Sequence, residues 1–447
     1  MRVLVIAVVL VSTAIEAAAL DCSSVWNDDK HQLSNTSGAI RLTVLHDQHA
    51  CSPVRNPSDI PFSWHLSTTL EREHQLAARL FLRRRRHAAP TNISAPVTRA
   101  SSFYGFVTQV ALGTPPMMQT VLIDSAAAFA WVQCASCTEK APNGCFDHDG
   151  PLFDPAASAT YRRLPCSSAS CVSASGNGDI PGLCAVQEST CMYYIQYMDN
   201  SASTGRVGTD RLTFGGQDLP GFVFGCSQRF AGVFGRYSGI FGFATGKLSF
   251  FSQVVERTRH YKAFSYYLPS PTSVGYIQVG AYDEDGLDFT PMFTNGSDYY
   301  LALTGITVDG CPLDHTGRGV SPWGTTAVVA CYLDLGAALS ILPSQAYERL
   351  SNEVAKRIRG YDHIKSSPGC FDPAYLAAER VIPRVQLQFI HGVRLVLDEE
   401  KLMFKVGGGR LCLGFVPGTI YMLGRMQMQM IYAAQDIEKS RMGFSTS

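Results

Sequence analysis

The stretch VLIDSAAAFAWV (121–132) sets one carboxylate, Asp124, in a run of apolar and small residues. CYLDLGAALSIL (331–342) does the same with Asp334, 210 positions later. Laid over each other, both read three apolar residues, Asp, one variable residue, a small residue, Ala-Ala, then apolar, small, apolar, apolar. A lone carboxylate in such a run is unfavourable unless it is hydrogen-bonded or shares a proton. Taken singly, each Asp reads as a turn or cap residue. Two in matched contexts point instead to two similar lobes, each supplying one acid to a shared site. Adjacent carboxylates do not both ionise readily, so one keeps a proton. The ionised member can take a proton from water while its partner polarises a carbonyl. That chemistry hydrolyses amides with no metal, cofactor or covalent intermediate.

The rest of the chain frames this pair. With 447 residues, 46% hydrophobic and 17% charged, there is room for more than one core. A formal net charge of zero implies no general attraction to nucleic acid or anionic membranes. Residues 1–100 are slightly basic, with 11 Lys/Arg against 8 Asp/Glu, and the remainder slightly acidic, with 26 against 29. The start MRVLVIAVVLVSTAIEAAAL has Arg2, an apolar core and small residues at Ala17 to Ala19, which reads as a signal peptide over 1–19. No later run is apolar for long enough to span a bilayer, and GFSTS at the end carries no hydrophobic tail, so no membrane anchor is expected. Residues 20–100 read as a prosegment, with Arg83 to Arg86 as its processing site. The expected destination is the secretory pathway, extracellular or vacuolar.

Fourteen cysteines in an oxidising compartment read as disulfides. That reading takes in CASC (134–137) ahead of zinc or a redox dithiol, since neither a second half-site nor a βαβ pattern follows it. Spacing alone leaves the connectivity open, although Cys311 and Cys331 are expected to bridge a hairpin in the C-terminal lobe. Asn35, Asn92 and Asn295 sit in glycosylation sequons. From Tyr104 onward, segments such as FVTQVALG, MYYIQYM, FVFGC and GYIQVGA are bounded by Gly, Pro, Asn or Asp, so the body is mainly β. Short helices are expected over 247–258 and 343–358, the second opening with Pro343. The N-terminal β lobe is placed at 101–265 and the C-terminal lobe at 266–447. G-x-S-x-G, H-E-x-x-H and P-loop motifs are all missing from the sequence. The Gly-rich KVGGGRLCLG (405–414) reads as a loop entering a strand, without the strand–turn–helix setting of a phosphate cradle.

These segments resemble the pepsin-like aspartic proteases, in particular the plant nepenthesin-like branch. VALGTPPMMQTVLIDSAAAFAWVQC resembles the first catalytic segment, and CYLDLGAALSILPSQAYERL the second. YYIQYMDNSASTGRVGTDRLTFG is similar to the flap hairpin, with Tyr197 on the flap tyrosine. FVFGCSQRFAGVFGRYSGIFGFATG and TIYMLGRMQMQMIYAAQDIEKSRMGFS are similar to the segments passing behind each catalytic loop, and LHDQHACSPVRNP to the pro-regions. The resemblance implies a bilobal endopeptidase, made as a zymogen, acting as a monomer on peptide or protein substrates in a cleft between the lobes. Asp124 and Asp334 form its dyad, within hydrogen-bond reach of one another or of a shared water. Tyr197 closes over substrate, with Trp131 in support, and Ser125 and Gly336 shape the dyad.

Departures from the family pattern gather at this site. Position 126, usually Gly, is Ala126; the residues expected to carry hydroxyls at 127, 335 and 337 are Ala127, Leu335 and Ala337. If position 126 requires a positive φ, its Cβ is strained by roughly 1–2 kcal/mol. Leu335 is expected to fill space without bonding across the loops, and Met198-Asp199-Asn200 replaces a Gly-rich flap tip. A second expectation therefore stands beside the protease: a pseudoprotease that binds peptides or proteins, as inhibitor-like relatives do.

Overall fold

The computed structural model describes residues 22–26, 39–55, 105–137, 144–171, 183–185, 189–197, 201–232, 234–313, 328–364, 369–374, 379–406 and 409–445. The signal peptide, the Arg83 to Arg86 run, the sequons at Asn35 and Asn92, and the flap tip 198–200 lie outside these. Asn295 is exposed at a hairpin turn, opposite Asp298.

The molecule is a bilobal, mainly β protein in which each lobe repeats one construction. Strand β1 spans Ala39–His46, β2 Phe106–Leu112, β3 Met117–Asp124 and β4 Trp131–Gln133. β2 and β3 are antiparallel, with Val107 opposite Leu122. Val121, Leu122 and Ile123 are all buried, so β3 packs on both faces and its sequence is continuously apolar rather than alternating. Gly239–Gly242 then lies parallel to β3, pairing Gly239 with Val121 and Gly242 with Asp124. In the second lobe Val329–Asp334 is matched by Tyr421–Gly424, also parallel, with Gly424 beside Asp334. The glycines are required here. A Cβ on Gly242 would fall 2.0 Å from the Ala127 carbonyl oxygen, and one on Gly424 would fall 2.6 Å from that of Leu339. The repeated acid-run motif thus ends each lobe's central strand beside a glycine that lets a second strand pass close behind it.

The two helices expected from sequence form with shifted starts. The first spans Phe250–Thr258, because Ser249 caps it by accepting the Ser252 N–H through its hydroxyl. The second spans Ser344–Arg357 with Pro343 in the cap position, burying Ala346, Leu350 and Val354 at helical spacing.

β1 lies inside the stretch read as prosegment, yet it is built into the sheet. It pairs antiparallel with Val274–Gly280 from Ala39 opposite Gly280 to Leu45 opposite Val274, and with β2 through Leu45–Val107 and His46–Phe106. Ile40, Leu42, Val44 and Leu45 are buried in or beside the main core. The Thr108 hydroxyl donates to the Thr43 carbonyl. Val274–Gly280 continues through Ala263–Tyr267 to Tyr432–Asp436 of the second lobe. Among the described residues, β1 is the strand that joins this interlobe layer to β2 by backbone hydrogen bonds.

Six disulfides are formed among the described residues: Cys22–Cys51, Cys134–Cys226, Cys137–Cys145, Cys166–Cys184, Cys171–Cys191 and Cys370–Cys412. The two cysteines of CASC are bonded to different partners, which removes the redox-dithiol alternative. The expected Cys311–Cys331 bridge is not made, and both are free thiols. Cys331 pairs with Leu301 near the start of Asp298–Val308, while Cys311 pairs with Val308 at its end. At about 3.3 Å per residue the two positions are roughly 23 Å apart along that strand, far beyond disulfide reach. Burial pushes the Cys331 thiol up to about 12, so it stays protonated and unreactive.

Candidate active site

The ends of β3 and of Val329–Asp334 bring the two acid-bearing loops face to face. Asp124 and Asp334 are 7% and 5% exposed, so neither carboxylate is an ordinary solvated group. Oδ1 of Asp124 accepts the Ala126 N–H at 2.7 Å. Oδ1 of Asp334 accepts the N–H groups of Gly336 at 2.7 Å and Ala337 at 3.0 Å. Gly336 lies against the first acid: a Cβ there would lie 2.7 Å from Cγ and Oδ2 of Asp124. Glycine at 336 therefore lets the first acid rest on the loop that carries the second. Any larger residue would displace the Asp124 carboxylate.

Ser125 makes the cross-loop bond that remains. Its hydroxyl accepts the Leu335 N–H at 2.9 Å, in a setting where Ser125 is fully buried. The reciprocal bond has no side-chain acceptor, because position 335 is a leucine buried in the main core. Ser125→Ala leaves a buried N–H without this acceptor, which is expected to destabilise the chain by about 1–3 kcal/mol. A lowered urea midpoint with retained secondary structure would show this, and an unchanged midpoint would contradict it.

Ala126 departs from expectation in a favourable direction. It is absent from the non-glycine residues of positive φ, so its Cβ carries no left-handed strain. Its methyl instead packs against the cluster of Tyr332, Ala337 and Leu339 from the opposite lobe.

Tyr197 stands at the end of the flap strand Thr190–Gln196, half-buried, with its N–H on the Ser201 carbonyl. Trp131 is fully buried, and its indole Nε1 donates to the Tyr197 hydroxyl at 2.6 Å. Rings of Phe146, Phe230 and Phe234 surround the indole. Trp131 thus fixes the tyrosine and offers little surface to a ligand. Burial, with the Asp124 charge as a smaller contribution, pushes the Tyr197 phenol well above its ordinary range against the opposing Trp131 bond. It remains a neutral hydroxyl. A buried chain beneath the flap, Tyr193 Oη to Ser203 Oγ at 2.8 Å and on to Ser227 Oγ at 2.7 Å, ties the hairpin to the strand behind it.

Two further residues reach the site without having been singled out in the sequence. Tyr332, two positions before Asp334, has its phenol raised by burial and then by the charges of Asp334, Asp298 and Asp124. Arg425, directly after Gly424, is 4% exposed and donates from Nη1 to the Gly336 carbonyl at 2.6 Å. A lone Arg in the apolar run YMLGRMQM was the available signal.

Known proteins show the same order of parts. Residues 106–281 match the family described as xylanase inhibitor N-terminal, and 298–446 the one described as xylanase inhibitor C-terminal. An aspartyl protease family protein of Arabidopsis thaliana is 29% identical over 353 residues, covering 76% of this chain and 71% of its own. The aspartic proteinase nepenthesin-2 of Nepenthes gracilis is 27% identical over 369 residues, covering 79% and 80%. In fold, the chain is similar to the basic 7S globulin of soybean, with a TM-score of 0.60 at 21% identity over 77% of this chain and 93% of that one. It is also similar to conglutin gamma of lupine seeds, with a TM-score of 0.59 at 18% identity over 77% and 92%. Both lobes carry these likenesses in chain order, and the protein belongs to the plant pepsin-like aspartic protease family.

Proposed function

We propose that the protein is an aspartic-type endopeptidase, made as a secreted zymogen, that cleaves peptide bonds with the pair Asp124 and Asp334. The observation that carries this reading is the Asp124 carboxylate resting on Gly336, two residues after Asp334 and within the loop whose N–H groups hold Asp334. In this reading the ionised carboxylate takes a proton from a water, and the water oxygen bonds to the scissile carbonyl carbon. The protonated carboxyl gives its proton to the carbonyl oxygen. Collapse of the resulting diol breaks the C–N bond as the leaving nitrogen is protonated. Tyr197, neutral and held by Trp131, supplies an apolar wall and a hydroxyl over the bound peptide. The disulfides and the named relatives are consistent with the secretory pathway. An extracellular or vacuolar destination is part of the proposal.

A second reading, a chain that binds peptides or proteins without cleaving them, draws on Ala127, Leu335 and Ala337. These positions give the carboxylates no hydroxyl donors, so preorganisation at the acids is reduced. The family descriptions, which speak of xylanase inhibitors, point the same way. One assay separates the two. Purified, acid-treated protein is incubated with a denatured protein substrate, with and without a statin-type transition-state mimic. Cleavage blocked by the mimic is expected. No cleavage at any acidic pH, with peptide binding intact, would sink the peptidase reading and leave the binder.

A further inference from the structure

Arg425 and Asp334 are joined by a single peptide group. The Arg425 guanidinium donates to the carbonyl oxygen of Gly336 at 2.6 Å. The same peptide unit presents the Ala337 N–H to Asp334 Oδ1 at 3.0 Å. A cation at the oxygen end of an amide draws electron density toward itself and makes the N–H a stronger donor. The Arg425 backbone N–H also bonds the Ala337 carbonyl at 3.0 Å, so the residue grips the loop on both sides of position 337. Position 337 is where the hydroxyl expected to support this carboxylate is replaced by alanine.

We propose that Arg425 is a positioning residue for this site, acting through the Gly336–Ala337 peptide to hold Asp334 as the charged member of the acid pair. The role rests on the aspartic-peptidase reading for its consequence, but the charge effect on Asp334 does not depend on turnover. The neighbours of Asp334 set the terms. On its own strand is Tyr332, a neutral buried phenol. Across the loops is Asp124, whose negative charge opposes ionisation of Asp334. From the strand Asp298–Val308 come Asp298, which accepts the Tyr332 hydroxyl at 3.4 Å, and Tyr300. From the flap comes Tyr197, near Asp124. Arg425 is the cation among the groups named here. Behind it opens a cavity of about 770 Å³ that Arg425 lines together with His46, Asp398, Glu399, Glu400 and Lys405.

The sign follows directly. A nearby positive charge favours the ionised carboxylate, so removing it raises the pH at which Asp334 loses its proton. An activity that needs one ionised acid then has its acid limb moved to higher pH. Two substitutions separate charge from geometry: Arg425→Gln keeps a donor for the Gly336 carbonyl without the charge, and Arg425→Lys keeps the charge. The full chain is labelled with carboxyl-¹³C aspartate, and the Asp334 signal is identified by its loss in Asp334→Asn. Native near-UV circular dichroism selects the variants that are folded. The Asp334 titration is expected to move up by about one pH unit in Arg425→Gln and by less in Arg425→Lys. The acid limb of kcat should move with it, while KM stays near its original value. An unchanged Asp334 titration in a folded Arg425→Gln protein would overturn the proposal, as would equal shifts in both variants. If the parent chain cleaves nothing, the peptidase reading fails on its own assay and the carboxyl titration still decides the role of Arg425.

Discussion

Asp124→Asn and Asp334→Asn are each expected to lower turnover by about 1000-fold or more. Asparagine keeps the size of the carboxylate, so the contact with Gly336 and the bonds from Ala126, Gly336 and Ala337 lose little packing. What is lost is the ability to take or hold a proton. A positioned general acid or base contributes about 10²–10⁴ in rate, and in the peptidase reading one pair supplies both. With either acid neutralised by substitution, the shared proton has no second site and the bell-shaped pH profile should flatten. Initial rates on a denatured protein across acidic pH, normalised to binding of a statin-type mimic, make the measurement. Retention of more than about a tenth of parental kcat by either variant would place the chemistry elsewhere. Under the binding-protein reading the same substitutions should leave peptide affinity nearly unchanged, so the pair of readouts assigns the function in both directions.

A chain that begins at Ser101, lacking everything before it, is expected not to reach the native state. The reason is β1. Ile40, Leu42, Val44 and Leu45 are each at most 3% exposed. Burying one such side chain stabilises by about 1.5–3 kcal/mol. Four together approach the roughly 5–15 kcal/mol that holds an ordinary domain. Removing β1 also strips the paired edge of Val274–Gly280 from Ala39–Gly280 to Leu45–Val274 and exposes a long apolar strand edge. Arg41 adds a bond from Nη2 to Gln278 at 2.8 Å and lies 4.1 Å from the Tyr276 ring centroid. Size-exclusion chromatography and near-UV circular dichroism of the truncated chain should show aggregation or lost tertiary signal. Supply of residues 22–55 as a separate polypeptide during expression should restore folding, since the Cys22–Cys51 bridge is internal to that piece. Native folding of the truncated chain alone would contradict this. The stretch read as a prosegment therefore contains a strand that is paired into the sheet joining the lobes.

The matched strand-end positions of the two acids, the mainly β body and the approximate place of both helices were legible because each depends on local pattern. An Asp in an apolar run, a Gly-bounded alternation and a Pro before a periodic stretch are visible within a dozen residues. The cysteine pairing and the state of Ala126 were not. Cys311 and Cys331 look like hairpin partners by count, but the register of Asp298–Val308 sets them at opposite ends. Ala126 looks strained by analogy, yet its backbone keeps ordinary φ and its methyl finds a place on the other lobe.

By itself, the sequence determined the mainly β, two-lobed architecture and marked the two acids at the ends of its matched strands, since a repeated carboxylate in a buried strand has few stable solutions. Tertiary structure alone decided how that chemistry is supported. Leu335 meets Ser125 across 210 positions, Ala39 meets Gly280 across the interlobe sheet, and Arg425 reaches Asp334 through a peptide that neither residue adjoins in sequence. Such contacts depend on strand register and on the close approach allowed at Gly336 and Gly424, quantities set by how the whole chain packs and not by any short stretch of it.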